Sequence, residues 1–185
     1  MKVKIGIREV VAMGIGTALF VVLTNAQIPL IIVPNTALQP RMAILAFMAA
    51  TFGPIVGAVV GFAGHALGDA LFYGSVWWSW VIPEAVVGLA IGFFAGKFAV
   101  KEGGFTTGKN LILFNVVQVV ANAVAWIVVA PVLDIVMFAE PVNKVFAQGA
   151  FAFLGNIIVV GVLGSLLLVA YSKIAGGSSN LQVED

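Results

Sequence analysis

Cysteine is absent from the 185 residues, and its absence removes a disulfide framework, a thiolate zinc site and a cysteine nucleophile together. Charge is also scarce. Asp, Glu, Lys and Arg make up 9% of the chain, and the net charge is +1. No basic run with interleaved aromatics points to nucleic acid. Histidine occurs once, as His65, which makes a poor metal site. His65-x-x-x-Asp69 has no second His of the kind a nickel or cobalt permease signature carries, and no HExxH is present. No Walker A loop offers ATP use by that route. Ser75 follows a glycine but lacks the Gly-x-Ser-x-Gly elbow. Inverted repeats are not evident, which weighs against many secondary transporters.

What the chain does have is apolar surface. Hydrophobic residues account for 62% of positions, with a mean hydropathy of +1.14. A water-soluble domain needs a polar coat and cannot hide that much. A bilayer removes the requirement. The composition predicts an all-α integral membrane protein with one six-helix domain over residues 1–175 and a mobile tail over 176–185. The expected spans run over about 8–24, 41–52, 55–73, from the tryptophan loop to about 97, 111–130 and 146–171. The second span is short for a ~30 Å hydrocarbon core, so it is expected to tilt or to merge with the third. The charged N-terminus, Met1–Glu9, resembles a signal peptide only superficially, and the first apolar stretch reads as a retained span.

Lys and Arg set the orientation. With six spans both termini share a side, which carries Lys2, Lys4, Arg8, Lys97, Lys101, Lys109 and Lys173, against Arg41 and Lys144 on the other. The bias predicts cytoplasmic termini. The proline loop over 25–40, the tryptophan loop Tyr73–Trp80 and a loop with Pro131, Asp134, Glu140, Pro141 and Lys144 then lie outside.

Ionisable groups inside spans are the first functional candidates. His65 and Asp69 stand one helical turn apart, near the outer end of a span with Gly57, Gly61, Gly64 and Gly68 along one face. They form either the floor of an outward pocket or a hydrogen-bonded tie between helices. Glu84 follows Trp77, Trp78, Trp80 and Pro83; it either lines the same pocket under an aromatic lid or reaches the interface beneath belt tryptophans. Asn115, Gln118, Asn122 and Trp126 fall on one face of the fifth span, and a polar stripe must face protein or a wet cavity. Asn122 and Trp126 are its ligand-facing candidates, whereas Asn115, Gln148 and Asn156 read as interhelical hydrogen bonds. The first span carries two small-residue pairs, Ala12/Gly16 and Gly14/Ala18, and one of them is expected to dock a partner helix.

Six short spans, the small-residue first helix and the stretches Phe52-Gly-Pro-Ile-Val-Gly57, Gly61-Phe-Ala-Gly-His65 and Asp69–Ile82 resemble the substrate-binding S components of energy-coupling factor (ECF) transporters, on the riboflavin-transporter-like branch. Within that branch the chain is similar to a cobalamin-specific S component. The resemblance implies capture of a vitamin from outside, followed by association with a transmembrane coupling subunit (EcfT) and two ATPase subunits (EcfA, EcfA′). It implies no catalytic residue, no metal and no intrinsic cofactor, since the vitamin is cargo and ATP belongs to the partners. The family's docking motif is commonly Ala-x-x-x-Ala; here a Gly replaces one Ala in either pair, so both faces stay open. The family's pocket maps onto the loop Asn35 to Arg41, the loop Tyr73 to Trp80 with Trp77 and Trp78, and Glu84, Asn122 and Asp134; with His65, Asp69 and Trp126, the residues Asn35, Arg41, Tyr73, Trp77, Trp78, Trp80, Glu84, Asn122 and Asp134 are the expected substrate contacts. Tryptophans suit either a flat conjugated ring or a broad macrocycle. Cobalamin is the expected substrate and riboflavin the alternative. A stand-alone proton-coupled carrier using His65, Asp69 and Glu84, an intramembrane enzyme and a purely structural subunit are the competing classes.

Overall fold

The computed structural model describes residues 5–29, 36–105 and 108–178. Over these residues the chain is built of helices: α1 (Ile7–Leu23), α2 (Arg41–Phe52), α3 (Pro54–Phe72), α4 (Trp78–Gly92), the one-turn α5 (Ala95–Phe98), α6 (Gly108–Ala123), α7 (Ala130–Phe138), α8 (Val142–Val159) and α9 (Ser165–Ser178). The sole strand pairing among the described residues is a two-residue ladder of β1 (Ile28–Pro29) and β2 (Ala37–Leu38), with Ile28 opposite Leu38.

π-helical turns over Val124–Val129 and Val160–Gly164 join α6 to α7 and α8 to α9. The result is two continuous apolar rods, Gly108–Phe138 of 31 residues and Val142–Gly176 of 35. At 1.5 Å per residue they measure about 46 Å and about 52 Å. With α3 they are the three described helices long and apolar enough to cross a membrane, and α2 and α4 are shorter. The protein is thus an all-α membrane protein.

Two expectations are corrected. The loop expected around Pro131 and Asp134 is helix; only Ala139–Pro141 separates α7 from α8. Proline lacks an N–H and crowds the preceding turn, and the π turn that ends just before Ala130 widens the helix where the Pro131 ring must fit. α9 runs through Ser178, and the rest of the tail expected over 176–185 lies outside the described residues. Finally, α2 does not merge with α3. Gly53, at φ +99°, turns the chain sharply between them. Nine of the twelve α2 residues are buried, because α1, α3, α4, α8 and α9 pack around it. A helix screened from lipid by its neighbours need not match the bilayer thickness.

The glycine face of α3 serves two neighbours in succession. A β-carbon at Gly57 would land on the Gly88 carbonyl, and one at Gly61 on the Glu84 backbone, so this half of the stripe lets α4 approach backbone to backbone. Further along, Gly64 lies against Phe20 and Gly68 against Thr24, both of the α1 end. The same packing separates the two small faces of α1. Ala12, Gly16 and Phe20 are buried, and Gly16 abuts Met48 and Val60. Gly14 and Ala18 are exposed, with nothing near Gly14. Gly88→Val should therefore lower the thermal midpoint of the detergent-solubilised protein, by the ~1–3 kcal/mol typical of overpacking or more. Gly14→Leu should leave it unchanged. A melt of both variants checks this.

Candidate functional site

Where α2, α4 and α8 begin and α3 and α7 end, a cavity of about 640 Å³ opens at the end of the bundle. Its floor is a buried cluster of ionisable groups drawn from α2, α3 and α4. Arg41 is the first residue of α2, and its guanidinium is spent on four partners. Nη2 lies 3.3 Å from Glu84 Oε1 and 3.4 Å from His65 Nε2. Nη1 donates to Thr24 Oγ1 at 3.1 Å, and Nε to Gln39 Oε1 at 3.0 Å. The Phe20 ring supports the guanidinium carbon, 4.8 Å from its centroid.

His65 is the bridge. Its Nε2 lies 3.3 Å from Asp69 Oδ1, one turn along α3, and its Nδ1 lies 3.1 Å from Glu84 Oε2 on α4. The second contact has ion-pair distance without hydrogen-bond alignment, since neither atom has a hydrogen-bond partner. Glu84 is fully buried. A carboxylate held there is tolerable only because a guanidinium and an imidazole face it.

The aromatic wall is held by a second carboxylate. Asp134 projects from α7 and takes three donors: Trp77 Nε1 at 2.9 Å and Ser79 Oγ on Oδ1, and Trp80 Nε1 at 2.9 Å on Oδ2. Asp69 completes the tie, accepting from the Trp77 backbone N–H at 3.0 Å. Both indole N–H groups are thereby turned onto α7, and the Trp77 backbone is tied to α3. Trp77 stacks on Phe138 with centroids 4.4 Å apart, and Trp80 packs edge-on against Trp126 at 5.5 Å.

Of the expected contacts, Arg41, His65, Asp69, Tyr73, Trp77, Trp80 and Asp134 line the cavity. Asn35 lies outside the described residues. Four expected residues do not line it. Trp78 points outward beside Phe62 and is 41% exposed. Glu84 sits behind Arg41 and His65 as their counter-charge. Asn122 is buried and donates to the Gln118 backbone and side chain. Trp126 lies behind Trp80. Asn122 Oδ1 and Trp126 Nε1 have no hydrogen-bond partner. The polar stripe of α6 does face protein, through Asn115 to Ser165 Oγ and Gln118 to the Ile157 carbonyl.

The cavity also takes in Thr36, Gln39 and Ser75 from the two loops onto which the pocket was mapped, and Gln27, Glu140, Lys144 and Gln148, which were not expected as contacts. Gln27 donates to the Tyr73 hydroxyl at 2.7 Å, and Lys144 pairs with Glu140 at 2.6 Å. The one sequence signal for them was an i,i+4 charge pair at the start of a helix, which reads equally well as a solvated rim.

A family model described as "ECF-type riboflavin transporter, S component" matches residues 4–173. Among curated proteins, the chain is 53% identical to a UPF0397 protein of Exiguobacterium sp. over 178 residues, covering 96% of each. It is 52% identical to one of Streptococcus agalactiae over 170 residues, 90% of this chain and 91% of the other. A Lactobacillus johnsonii relative is 48% identical over 177 residues, 94% and 95% of the two chains. No solved structure matches.

Arg41→Met strands Glu84 without its guanidinium and should cost about 3–5 kcal/mol, the usual penalty for breaking a buried pair. Adding Glu84→Gln should recover part of the loss, as denaturant titration in micelles would show. Asp134→Ala frees the Trp77 and Trp80 indoles and should red-shift the tryptophan emission.

Proposed function

The chain belongs to the ECF-type riboflavin transporter S-component family, and on that premise we propose that it captures one vitamin molecule in the Arg41–Trp80–Asp134 cavity at the outer membrane face. Family members are transport subunits for vitamin uptake, not enzymes. The observation that carries the assignment of the site is the cavity itself, an aromatic-walled recess over a floor of mutually paired charges. Such a recess binds a flat ring by burial and stacking, and orients it with few polar groups.

In this proposal both termini are cytoplasmic and the chain crosses the cell membrane six times. The cavity then faces outward, and uptake is driven by a transmembrane coupling subunit with two ATPase subunits. The Gly14/Ala18 face of α1 is the proposed docking surface. It is the small face left uncovered, and it borders an apolar groove with Met13, Thr17, Val59 and Leu67. Ala12 and Gly16, the other candidate pair, are consumed in packing against α2 and α3.

Cobalamin is the proposed cargo, on the likeness of the Gly61–Ile82 block to a cobalamin-specific S component. Riboflavin is the second reading, and cavity size favours it. A volume of about 640 Å³ falls in the ~300–1,000 Å³ range that encloses a drug-sized ligand. A flavin ring system is of that order; a corrinoid is larger and requires the mouth to widen.

The purified chain should carry its vitamin without ATP. Native mass spectrometry of the detergent-solubilised protein, with ligand released on denaturation, would return a corrinoid mass or a flavin mass. Uptake into liposomes by the chain alone, following a pH gradient, would instead support a proton-coupled carrier. Trp80→Ala should weaken vitamin binding by about 1–3 kcal/mol, the range for loss of an aromatic stacking surface. Gly14→Leu should bind normally yet fail to support ATP-driven uptake with the coupling module. Loss of both together would make α1 merely structural.

A further inference from the structure

The cavity has carboxylates to spare and no cation to spare. Asp69, Asp134 and Glu140 line it, and Glu84 stands directly behind its floor. Against these four stand two permanent cations, Arg41 and Lys144, and the His65 imidazole. Even an imidazolium at His65 leaves the balance negative. Both cations are already engaged. Arg41 is divided among Glu84, Thr24, Gln39 and His65, and Lys144 holds Glu140 at 2.6 Å. Helix dipoles do not tip the balance. α2, α4 and α8 bring N-termini to this end, and α1, α3 and α7 bring C-termini. Residues 30–35, Leu-Ile-Ile-Val-Pro-Asn, add no ionisable side chain to the loop between β1 and β2.

We infer that this site is a charge filter: it admits the neutral or cationic form of its vitamin and excludes phosphomonoesters and other anionic derivatives, with the Glu140–Lys144 pair at the rim setting the discrimination. A phosphate monoester carries about −1.5 to −2 charges at neutral pH. On entry it would exchange its hydration for a wall with no free ammonium or guanidinium. The consequence is a place in a reaction sequence. A phosphate-ester hydrolysis outside the membrane must supply the free vitamin wherever the environment offers the phosphorylated form. Phosphorylation of the imported compound, where a coenzyme requires it, must follow inside. This inference rests on the vitamin-capture reading of the cavity.

The test is calorimetry on the purified full chain with matched pairs: riboflavin and riboflavin 5′-phosphate, thiamine and thiamine monophosphate, cyanocobalamin and one of its monocarboxylic acid derivatives. In whichever pair binds, the anionic member should be weaker by at least about tenfold at low salt, on Coulomb terms at an intermediate effective dielectric. The gap should shrink at high salt, where screening acts within ~10 Å or less. Glu140→Gln releases the Lys144 ammonium and should narrow the gap; Lys144→Met should widen it. Affinities within about threefold of each other, or a gap indifferent to both salt and Glu140→Gln, would overturn the filter. Binding by no member of any pair would sink the vitamin-capture reading, and the filter with it.

Discussion

The ion pair between Arg41 and Glu84 is the constraint on which the cavity end of the molecule turns. Glu84 has no contact with water, and a lone carboxylate in that position would be strongly disfavoured. Its partner opens a helix 43 positions earlier in the chain, so the pair commits α2 and α4 to one register. His65 extends the commitment to α3, and Thr24 extends it to the end of α1. Four elements thus meet at one guanidinium. The geometry is worthwhile only when every arm is satisfied, because a half-satisfied buried network is worse than an apolar one.

Glycine makes that meeting possible. The ion pair needs α3 and α4 close enough for His65 and Glu84 to touch, and the Gly57–Gly88 and Gly61–Glu84 backbone contacts set that separation. The cavity is what remains between the tight glycine crossing below and the tryptophan wall above. Asp134 holds that wall from across the bundle, so the two carboxylates divide the work. Glu84 fixes the floor through cations, and Asp134 fixes the side through indole and hydroxyl donors. Neither is free to reach a ligand directly with its full complement of lone pairs, which leaves ring surfaces as the main adhesive.

Much of this was legible before any coordinates. Apolar runs marked the helical rods, since burial in lipid leaves a composition that no soluble domain shares. The i,i+4 spacing of His65 and Asp69 did place them in contact. The α6 stripe of Asn115, Gln118 and Asn122 did turn toward protein, as polar atoms in hydrocarbon must. The misreadings have a common cause. Asp134 looked like a loop residue because Pro131 looked like a helix end, and the π turn that accommodates the proline has no strong sequence mark. Trp78 was grouped with Trp77 and Trp80 by adjacency, but a helix beginning at residue 78 sends neighbouring side chains about 100° apart. Trp78 therefore faces outward while Trp80 faces the cavity. Glu140, Lys144 and Gln27 gave no signal beyond ordinary surface polarity.

The sequence by itself determined the solvent, the position of most helices and the shortlist. Hydropathy and helical periodicity are properties of consecutive residues, and a bilayer reads them without reference to the rest of the fold. It left open which small face of α1 stays uncovered, which carboxylate binds which partner, and whether the candidate residues share one cavity. Those were decided by approach between segments tens of residues apart. Gly16 met Met48 and Val60, so Gly14 was left bare. Arg41 met Glu84, so the guanidinium became a tie between helices. Pairings of that kind depend on interhelical distance and rotation, which no local pattern encodes, and only the packed structure settles them.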